Sequence, residues 1–554
     1  MNLLDLIHRR GQMGRLAEIV RVLARYGLAD WLKLVPREEI RNLIAAPQTR
    51  ALAELTHEAR IREAITELGP TFVKLGQILS TRADLIGPDL ATELSQLQSA
   101  TPADAPAIVR RIVCEELGAD PERLFAEFEP TAFASASLGQ VHRAKLRDGR
   151  AVIVKVQHDG TEDRVRLDLE LVLLLAGWLQ DHVPAARPYQ PVATAREFRR
   201  TLLRELDYTA EKRNAEQFRR NFQGDATIHV PHVFSELSSR RVLTMELLVG
   251  VPGSAPERLR ETNVDPSQFA RHAANMYLEM IFRDGFYHAD PHPGNVMVLP
   301  GGVVGVLDCG MIGRIDGHLR ESFEELLLAL AERDSEGLSE LLLRLGAAPP
   351  DVDRTAFRSD VSEFLAEYGS QSLKEFDLGG ALRELTAIIR RHHILLPSSA
   401  SLLLKTLIML EGTARQFSPD FNLAELLERY HVRLAANRLD PRRWLIKVRR
   451  VGRDLDRLIA HGPRDLADIL DRVRDGTFEV KHEHHRLEVT VNRLVAGLLT
   501  AALFVGSSQV LSSAVPPLVY GISFLGALGS FTAVFMGWRL LRAVTHNDWS
   551  GRPR

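Results

Sequence analysis

A chain of 554 residues is too long for one compact core, and two or three domains are expected. With 70 Lys and Arg against 72 Asp and Glu the formal charge is −2, so the overall balance gives nucleic acid no footing and none is expected as a partner. The two cysteines, Cys114 and Cys309, lie far apart; they exclude a disulfide framework and fit a reducing compartment.

The N-terminus lacks an apolar run ending in a cleavage site, so no signal peptide is expected. Residues 1–60 read as an N-terminal helical region and 61–130 as a second one. Apolar positions recur at helical spacing in GRLAEIVRVLARYGL and in EAITELGPTFVKLGQILSTRADL. Arg15, Arg21 and Arg25 flank the first stripe and read as a solvated face, with a membrane-surface helix as the alternative. The pattern changes at 131: AFASASLGQVHRAKLRDGRAVIVKVQ is a small-residue loop, a strand, a turn at RDGR and a strand rich in Val and Ile. Long helices are predicted over RLDLELVLLLAGWLQDH and AREFRRTLLRELDYTAEKRNAEQFRRNF, then strands in VPHVFSELSSRRVLTMELLVG. From 251 to 480 a helix (QFARHAANMYLEMIFRDGF) leads to the loop HADPHPGN, two short strands joined at Gly301-Gly302, and helices from 318 to about 475.

Residues 481–493 read as an exposed linker; its KHEHHRLE could alternatively hold a metal. From Leu494 to Trp538 there is no Asp, Glu, Lys, Arg or His. One membrane span needs about 20 apolar residues, and this run is roughly twice that. Two transmembrane helices are therefore expected, about 494–515 and 518–538, with VPPL as the turn and 539–554 as a tail. Arg486 and Arg493 on one flank, with Arg539 and Arg542 on the other, place both ends in the cytoplasm. Gly529, Ala533 and Gly537 form a small-residue stripe that permits helix association without fixing an oligomeric state.

Phosphoryl transfer from a nucleotide asks for few parts. A loop covers the phosphates, a lysine held by a glutamate binds them, amide and carboxylate oxygens ligate Mg2+, and a carboxylate sits beside the attacking hydroxyl. The loop is Ala134, Ser135, Ala136, Ser137, Leu138 and Gly139, followed by Val141. Gly139 and Val141 match the kinase glycine-rich pattern, while Ala134 and Ala136 stand at its first two glycines. Alanine resists the positive-φ conformations open to glycine, which predicts a stiffer loop. Lys155 lies in the apolar strand VIVKV and needs a partner, unless it reaches from an edge to solvent. Glu205 is the chosen partner, with Glu197 and Glu211 as alternatives. His288, Asp290 and Asn295 reproduce the spacing of a kinase catalytic loop, and the following hairpin ends in Asp308-Cys309-Gly310. Asp290 is the expected proton acceptor, and Asn295 and Asp308 the expected Mg2+ ligands. A transition-metal site of His288, Asp290 and His292 would leave Asn295, the hairpin and Asp308 unexplained. VLTMELLVG puts the backbone of Met245 to Leu247 where a hinge faces adenine.

With these residues in place the chain resembles the UbiB/AarF family of atypical protein-kinase-like proteins, the ADCK proteins of animals, from about residue 60 to the apolar tail. FVKLGQ matches its K-x-G-Q signature at Lys74, Gly76 and Gln77; AFASASLGQVHRA resembles its alanine-rich loop and RELDYTAEKRN its E-x-D segment. The usual family form has Phe where Cys309 stands, which should alter packing behind Asp308 and leave the ligand in place. The C-terminal hairpin resembles the bacterial UbiB branch in particular. The resemblance implies an α+β, bilobal kinase-like fold, with the K-x-G-Q extension in 61–130, an N-lobe at 131–250 and a mostly helical C-lobe at 251–480. It implies that the K-x-G-Q helix lies over the active site, with Lys74 and Gln77 as internal gatekeepers; a solvated lysine is the alternative for Lys74.

GHLRESFEELLLALAERD follows Asp308-Cys309-Gly310 closely and looks helical, leaving no long activation loop. The reading that follows is a Mg2+-dependent, ATP- or ADP-binding ATPase anchored in the bacterial inner membrane with its kinase-like domain in the cytoplasm. The resemblance implies support of ubiquinone biosynthesis, with membrane lipid, ubiquinone precursors and other proteins of that synthesis as partners. A small-molecule or lipid kinase of the aminoglycoside or choline kinase type is one alternative, predicting an open acidic pocket beside Asp290. A pseudokinase scaffold is the other, predicting a missing catalytic group.

Overall fold

The computed structural model describes residues 10–28, 55–97, 101–349, 352–368, 376–427, 487–513, 516–519 and 522–548. The predicted helices of 428–475, most of the His-rich linker and the last tail residues lie outside them. The chain divides into two compact units, Met1–Leu439 and Asp440–Arg554.

The first unit opens with α1 (Arg10–Arg25), then α2 (His57–Leu68), α3 (Pro70–Leu79), α4 (Ala83–Ile86), α5 (Pro88–Ser95) and α6 (Pro106–Leu117). Two Gly-Pro pairs cut the extension into short helices. Gly69 and Gly87 turn at φ 94° and 90°, and Pro70 and Pro88 start the next helix with φ already set. Leu16, Ile19 and Val20 of α1 pack on Ala64, Leu68 and Phe72, so this stripe is a core face. Arg15, read as solvated, is buried and pairs with Asp168 at 2.7 Å.

The N-lobe sheet comprises β1 (Glu127–Phe128), β2 (Ala134–Ser135), β3 (Gly139–Lys145), β4 (Ala151–Gln157) and, beyond the helices, β6 (Val242–Glu246). β4 is central, antiparallel to β3 and β6. Its Val152, Val154 and Val156 alternate into the core, packed under Val109, Ile112 and Val113 of α6. Helix α6, placed by sequence in the extension, thus belongs to the N-lobe core. Between β4 and β6 run α7 (Thr161–His182), α8 (Pro191–Glu205), α9 (Tyr208–Asn221) and β5 (Ile228–His229).

β7 (Val251–Pro252) and α10 (Pro266–Leu278) lead into the C-lobe, where β8 (Phe286–His288), β9 (Val296–Leu299), β10 (Val303–Val306) and β11 (Ile312–Arg314) carry the catalytic segments. β9 and β10 form the predicted hairpin, within a sheet ordered β5-β10-β9-β7, and β8 pairs with β11. Helices α11 (Gly317–Glu332), α12 (Ser335–Leu345), α13 (Arg354–Tyr368), α14 (Leu378–Arg391) and α15 (Ser398–Phe417) complete the core. Helix α11 starts at Gly317, seven residues after Gly310, so no long activation loop intervenes.

The second unit contains α16 (Leu487–Ser512), a small hairpin of β12 (Leu518–Val519) and β13 (Ile522–Ser523), and α17 (Phe524–Asp548). Within α16, Val495–Ser512 is long and apolar enough to cross a membrane. The second expected span differs: residues 518–523 fold into the hairpin, so the uncharged part of α17 runs only from Phe524 to Trp538. A Cβ on Gly529 would lie 2.7 Å from Ser507, and Ala533 is buried, so the small-residue stripe serves contact between α17 and α16 within one chain.

Candidate active site

Lys155 sits on β4 among inward-facing valines, and its Nζ lies 2.5 Å from Glu211 Oε1 and 3.5 Å from Asp308 Oδ2. The partner is therefore Glu211, not Glu205. The predicted single helix breaks at Leu206: Asp207 accepts from Thr209 N–H and caps α9, which places Glu211 in the first turn of the new helix. Glu205, at the end of α8, instead pairs with Lys74 of the extension at 3.2 Å. Glu197 is 40% exposed and 3.9 Å from Arg82, outside the site. Burial works against the Lys155 charge, but Asp308 and Glu211 outweigh it and hold the ammonium above the usual lysine range.

The alanine-rich loop is a tight hairpin. Ala134 pairs with Val141 and Ser135 with Gln140, while Ala136 N–H donates to Gly139 O at 2.8 Å. His158 staples it, one ring nitrogen 3.0 Å from Ala136 O and the other 3.1 Å from Asp104 Oδ2. Ser137 and Leu138 are buried in the turn. Gly139 is required by close approach: a Cβ there would stand 2.6 Å from Val156 O and against the Tyr208 hydroxyl. At the hinge, Met245 is buried and registered between Ile153 and Val233, and Leu247 N–H donates to Ala151 O at 3.2 Å. The sheet thus engages Met245 and the Leu247 N–H, and of the groups expected to face adenine the Leu247 carbonyl is outside these bonds.

The catalytic loop is held from inside. His288 Nδ1 accepts from Asp290 N–H at 3.1 Å, and Nε2 donates to Asp308 O at 2.5 Å. Both ring nitrogens are spent, so His288 has no lone pair for a metal. His292 Nδ1 likewise accepts from Gly294 N–H at 3.0 Å, and the transition-metal alternative fails. Asn295 Nδ2 donates to Asp290 Oδ2 at 2.8 Å, which leaves its amide oxygen as the ligand atom. That oxygen and the Asp308 carboxylate are hard donors of the kind Mg2+ takes. Burial would raise the Asp308 carboxyl, yet Lys155 and the Gly310 N–H, 2.6 Å away, hold it well below the usual carboxylate range.

Comparison with known proteins follows this geometry. The ABC1 atypical kinase-like domain matches residues 96–342, the UbiB helical domain 361–422, and the ABC1/UbiB kinase-like C-terminal domain 479–546. A protein named probable protein kinase UbiB from Pseudomonas paraeruginosa is 34% identical over 441 residues, 78% of this chain and 83% of that one. The chain belongs to the ABC1/UbiB family of atypical kinase-like proteins. An uncharacterized protein from the hydrogenase 1 5' region of Clostridium pasteurianum is 28% identical over 96% of this chain and 98% of its own. Among solved structures, the complex of Rv3197 with erythromycin from Mycobacterium tuberculosis is similar at 23% identity and a TM-score of 0.41, over 62% of this chain and 87% of that one.

In this ABC1/UbiB chain the K-x-G-Q helix is α3. Gly76 lets it close on Leu97, whose methyl a Cβ would strike, and Gln77 Nε2 donates to Leu97 O at 3.0 Å. Burial opposes the Lys74 charge, but Glu205 and then Asp308 raise its pKa; Asp290 adds to the same field. Lys74, partly exposed but paired with Glu205, thus lies in the field of the catalytic groups rather than free in solvent. Cys309 is buried in the core behind Asp308, its carbonyl taking the Asn214 amide at 2.9 Å. Sequence reasoning missed His158 and Asp104, which carry no spacing signal. It also missed Lys405, whose place in the apolar helix run LLLKTLIML is the same signal that exposed Lys155.

Proposed function

We propose that this protein is a Mg2+-dependent ATPase that supports ubiquinone biosynthesis from the membrane, handling or presenting lipid intermediates to the enzymes that modify them. The observation that carries the reading is the complete set in one cleft: Lys155 with Glu211, Asp308 beside them, and Asp290 locked to Asn295. A scaffold without chemistry has no need of it.

When bound, Mg–ATP supplies the transferable phosphoryl group and the charge that neutralises its oxygens. Lys155, fixed by Glu211, holds the α- and β-phosphates. Asn295 and Asp308 offer oxygens to the metal. Asp290, oriented by Asn295 Nδ2 and by its own N–H on His288, receives the proton of the attacking group. The K-x-G-Q helix brings Lys74 into this field, and the short path from Gly310 to α11 gives a peptide substrate little to dock on, so water is the favoured acceptor. The name UbiB of the Pseudomonas relative and the apolar C-terminal helix support the ubiquinone and membrane parts of the reading.

The test is phosphate release from Mg–ATP by the full chain in vesicles, with and without a quinone-precursor mimic, against Asp290→Asn. Release by wild type, its loss in the variant and a rise with the mimic are expected. Nucleotide binding without hydrolysis under every lipid condition would sink the ATPase reading.

A further inference from the structure

The cleft contains a third lysine. Lys405 stands on α15, whose neighbouring Thr406 Oγ1 lies 3.3 Å from Ala289 O and whose Thr413 Oγ1 donates to Pro291 O at 2.8 Å. The Thr413 bond fixes this helix to the catalytic loop after Asp290, and Thr406, whose hydroxyl donates mainly to Leu402 O at 2.8 Å, lies against the loop before it. The Lys405 ammonium itself donates to Ser80 Oγ of the extension at 2.8 Å. Among the described residues no carboxylate lies within ion-pair distance of it, and Asp290 is the one whose charge reaches it. Lys155 and Lys74 are differently placed, each committed to a glutamate. Lys405 also borders a cavity of about 250 Å3 with Thr81, Asp84 and Ser401, on the side of the extension, so its side chain is not packed in there.

The catalytic loop leaves a deficit that this lysine meets. Between Asp290 and Asn295 stand two prolines, a glycine and His292, which is folded back on Gly294 N–H. No cation of the loop faces the acceptor side, although phosphoryl transfer spreads negative charge over three equatorial oxygens there. An ammonium desolvated beside a hydroxyl, with its charge disfavoured by burial, gains strongly from an arriving anion.

We propose that Lys405 is a further catalytic residue of the phosphoryl transfer, its ammonium leaving Ser80 to bind the equatorial oxygens of the transferring group on the acceptor side, opposite Lys155. The proposal rests on the ATPase reading. In the step, the water oxygen bonds to the γ-phosphorus while the bond from that phosphorus to the β–γ bridging oxygen breaks, its electron pair leaving on ADP. The water proton passes to Asp290 and from there to solvent. Lys405 keeps its proton and returns to Ser80 when phosphate departs.

The experiment measures turnover and Mg–ATP affinity for the full chain in phosphatidylethanolamine–phosphatidylglycerol vesicles, comparing wild type with Lys405→Met, Lys405→Arg and Ser80→Ala. Lys405→Met should lower kcat about 100-fold, the usual loss for one preorganised donor, with nucleotide affinity held within about threefold. Lys405→Arg should recover part of the rate. Ser80→Ala, which frees the ammonium, should raise kcat about two- to tenfold, the worth of one hydrogen bond. A Lys405→Met turnover close to wild type overturns the proposal. If that variant does not fold, Ser80→Ala decides: a fall in rate and affinity together marks Lys405 as a structural clamp. A wild-type chain that releases no phosphate overturns the ATPase reading and this proposal with it.

Discussion

Replacing Glu211 with Ala isolates the assignment that separates structure from sequence. The side chains of Lys155 and Glu211 are 14% and 8% exposed and 2.5 Å apart. Removing one partner of such a pair typically costs about 3–5 kcal/mol, because a desolvated charge is left behind. Asp308 remains 3.5 Å from Lys155 and compensates part of it, so a loss near the lower end, about 3 kcal/mol, is expected. Glu205→Ala should cost less, since its partner Lys74 is 24% exposed and also feels Asp308 and Asp290. Urea and heat unfolding of both variants, with Mg–ATP binding in parallel, makes the comparison. The double replacement Lys155→Met/Glu211→Leu should regain most of the lost stability while abolishing nucleotide binding, since apolar groups of similar size substitute well for a buried pair. Equal or greater damage from Glu205→Ala, or a double variant no more stable than the single one, would refute the reasoning.

Three further outcomes are expected. Burial pushes Lys405 down to about 8 against an ordinary lysine near 10.5, so between those values the unfolded chain binds more protons. Stability should therefore rise with pH across that window by roughly 1–3 kcal/mol in wild type and not in Lys405→Met, as read from urea midpoints at stepped pH. Gly139→Ala drives a Cβ toward the Val156 carbonyl, a backbone atom that cannot step aside, and should destabilise the N-lobe by about 1–3 kcal/mol with a loss of nucleotide affinity; a melting temperature like wild type's contradicts this. Truncation before Leu487 should move the protein from the membrane to the soluble fraction on centrifugation, and its persistence in the membrane pellet would shift the anchor elsewhere.

How much of this the sequence showed depends on the range of the signal. The strand VIVKV, the β9–β10 hairpin and the catalytic loop were legible because alternation, Gly301-Gly302 and the Asp290–Asn295 spacing are all local. The Lys155 partner was not, because AREFRRTLLRELDYTAEKRN keeps helical periodicity straight through the break at Leu206. Only the hydrogen bond from Thr209 N–H to Asp207 reveals the new helix start and the turn it imposes. The home of α6 was missed for a related reason: amphipathic spacing shows that a helix has an apolar face, not which sheet that face meets. A pair of apolar helices joined by a turn was legible in the uncharged run, but composition cannot tell a helical turn from the short β12–β13 pairing that delays α17.

Helix α15 and the segment leading into it grip two neighbours at once. Through Thr406 and Thr413 it bears on the catalytic loop; through Lys405 to Ser80, Ser401 to Asp84 and the Leu396 carbonyl to Arg82 it bears on the extension. The extension and the catalytic loop are therefore yoked through one helix, so that a displacement of either is carried to the other. A ligand that prises up the extension should accordingly be felt at Asp290 without touching the nucleotide.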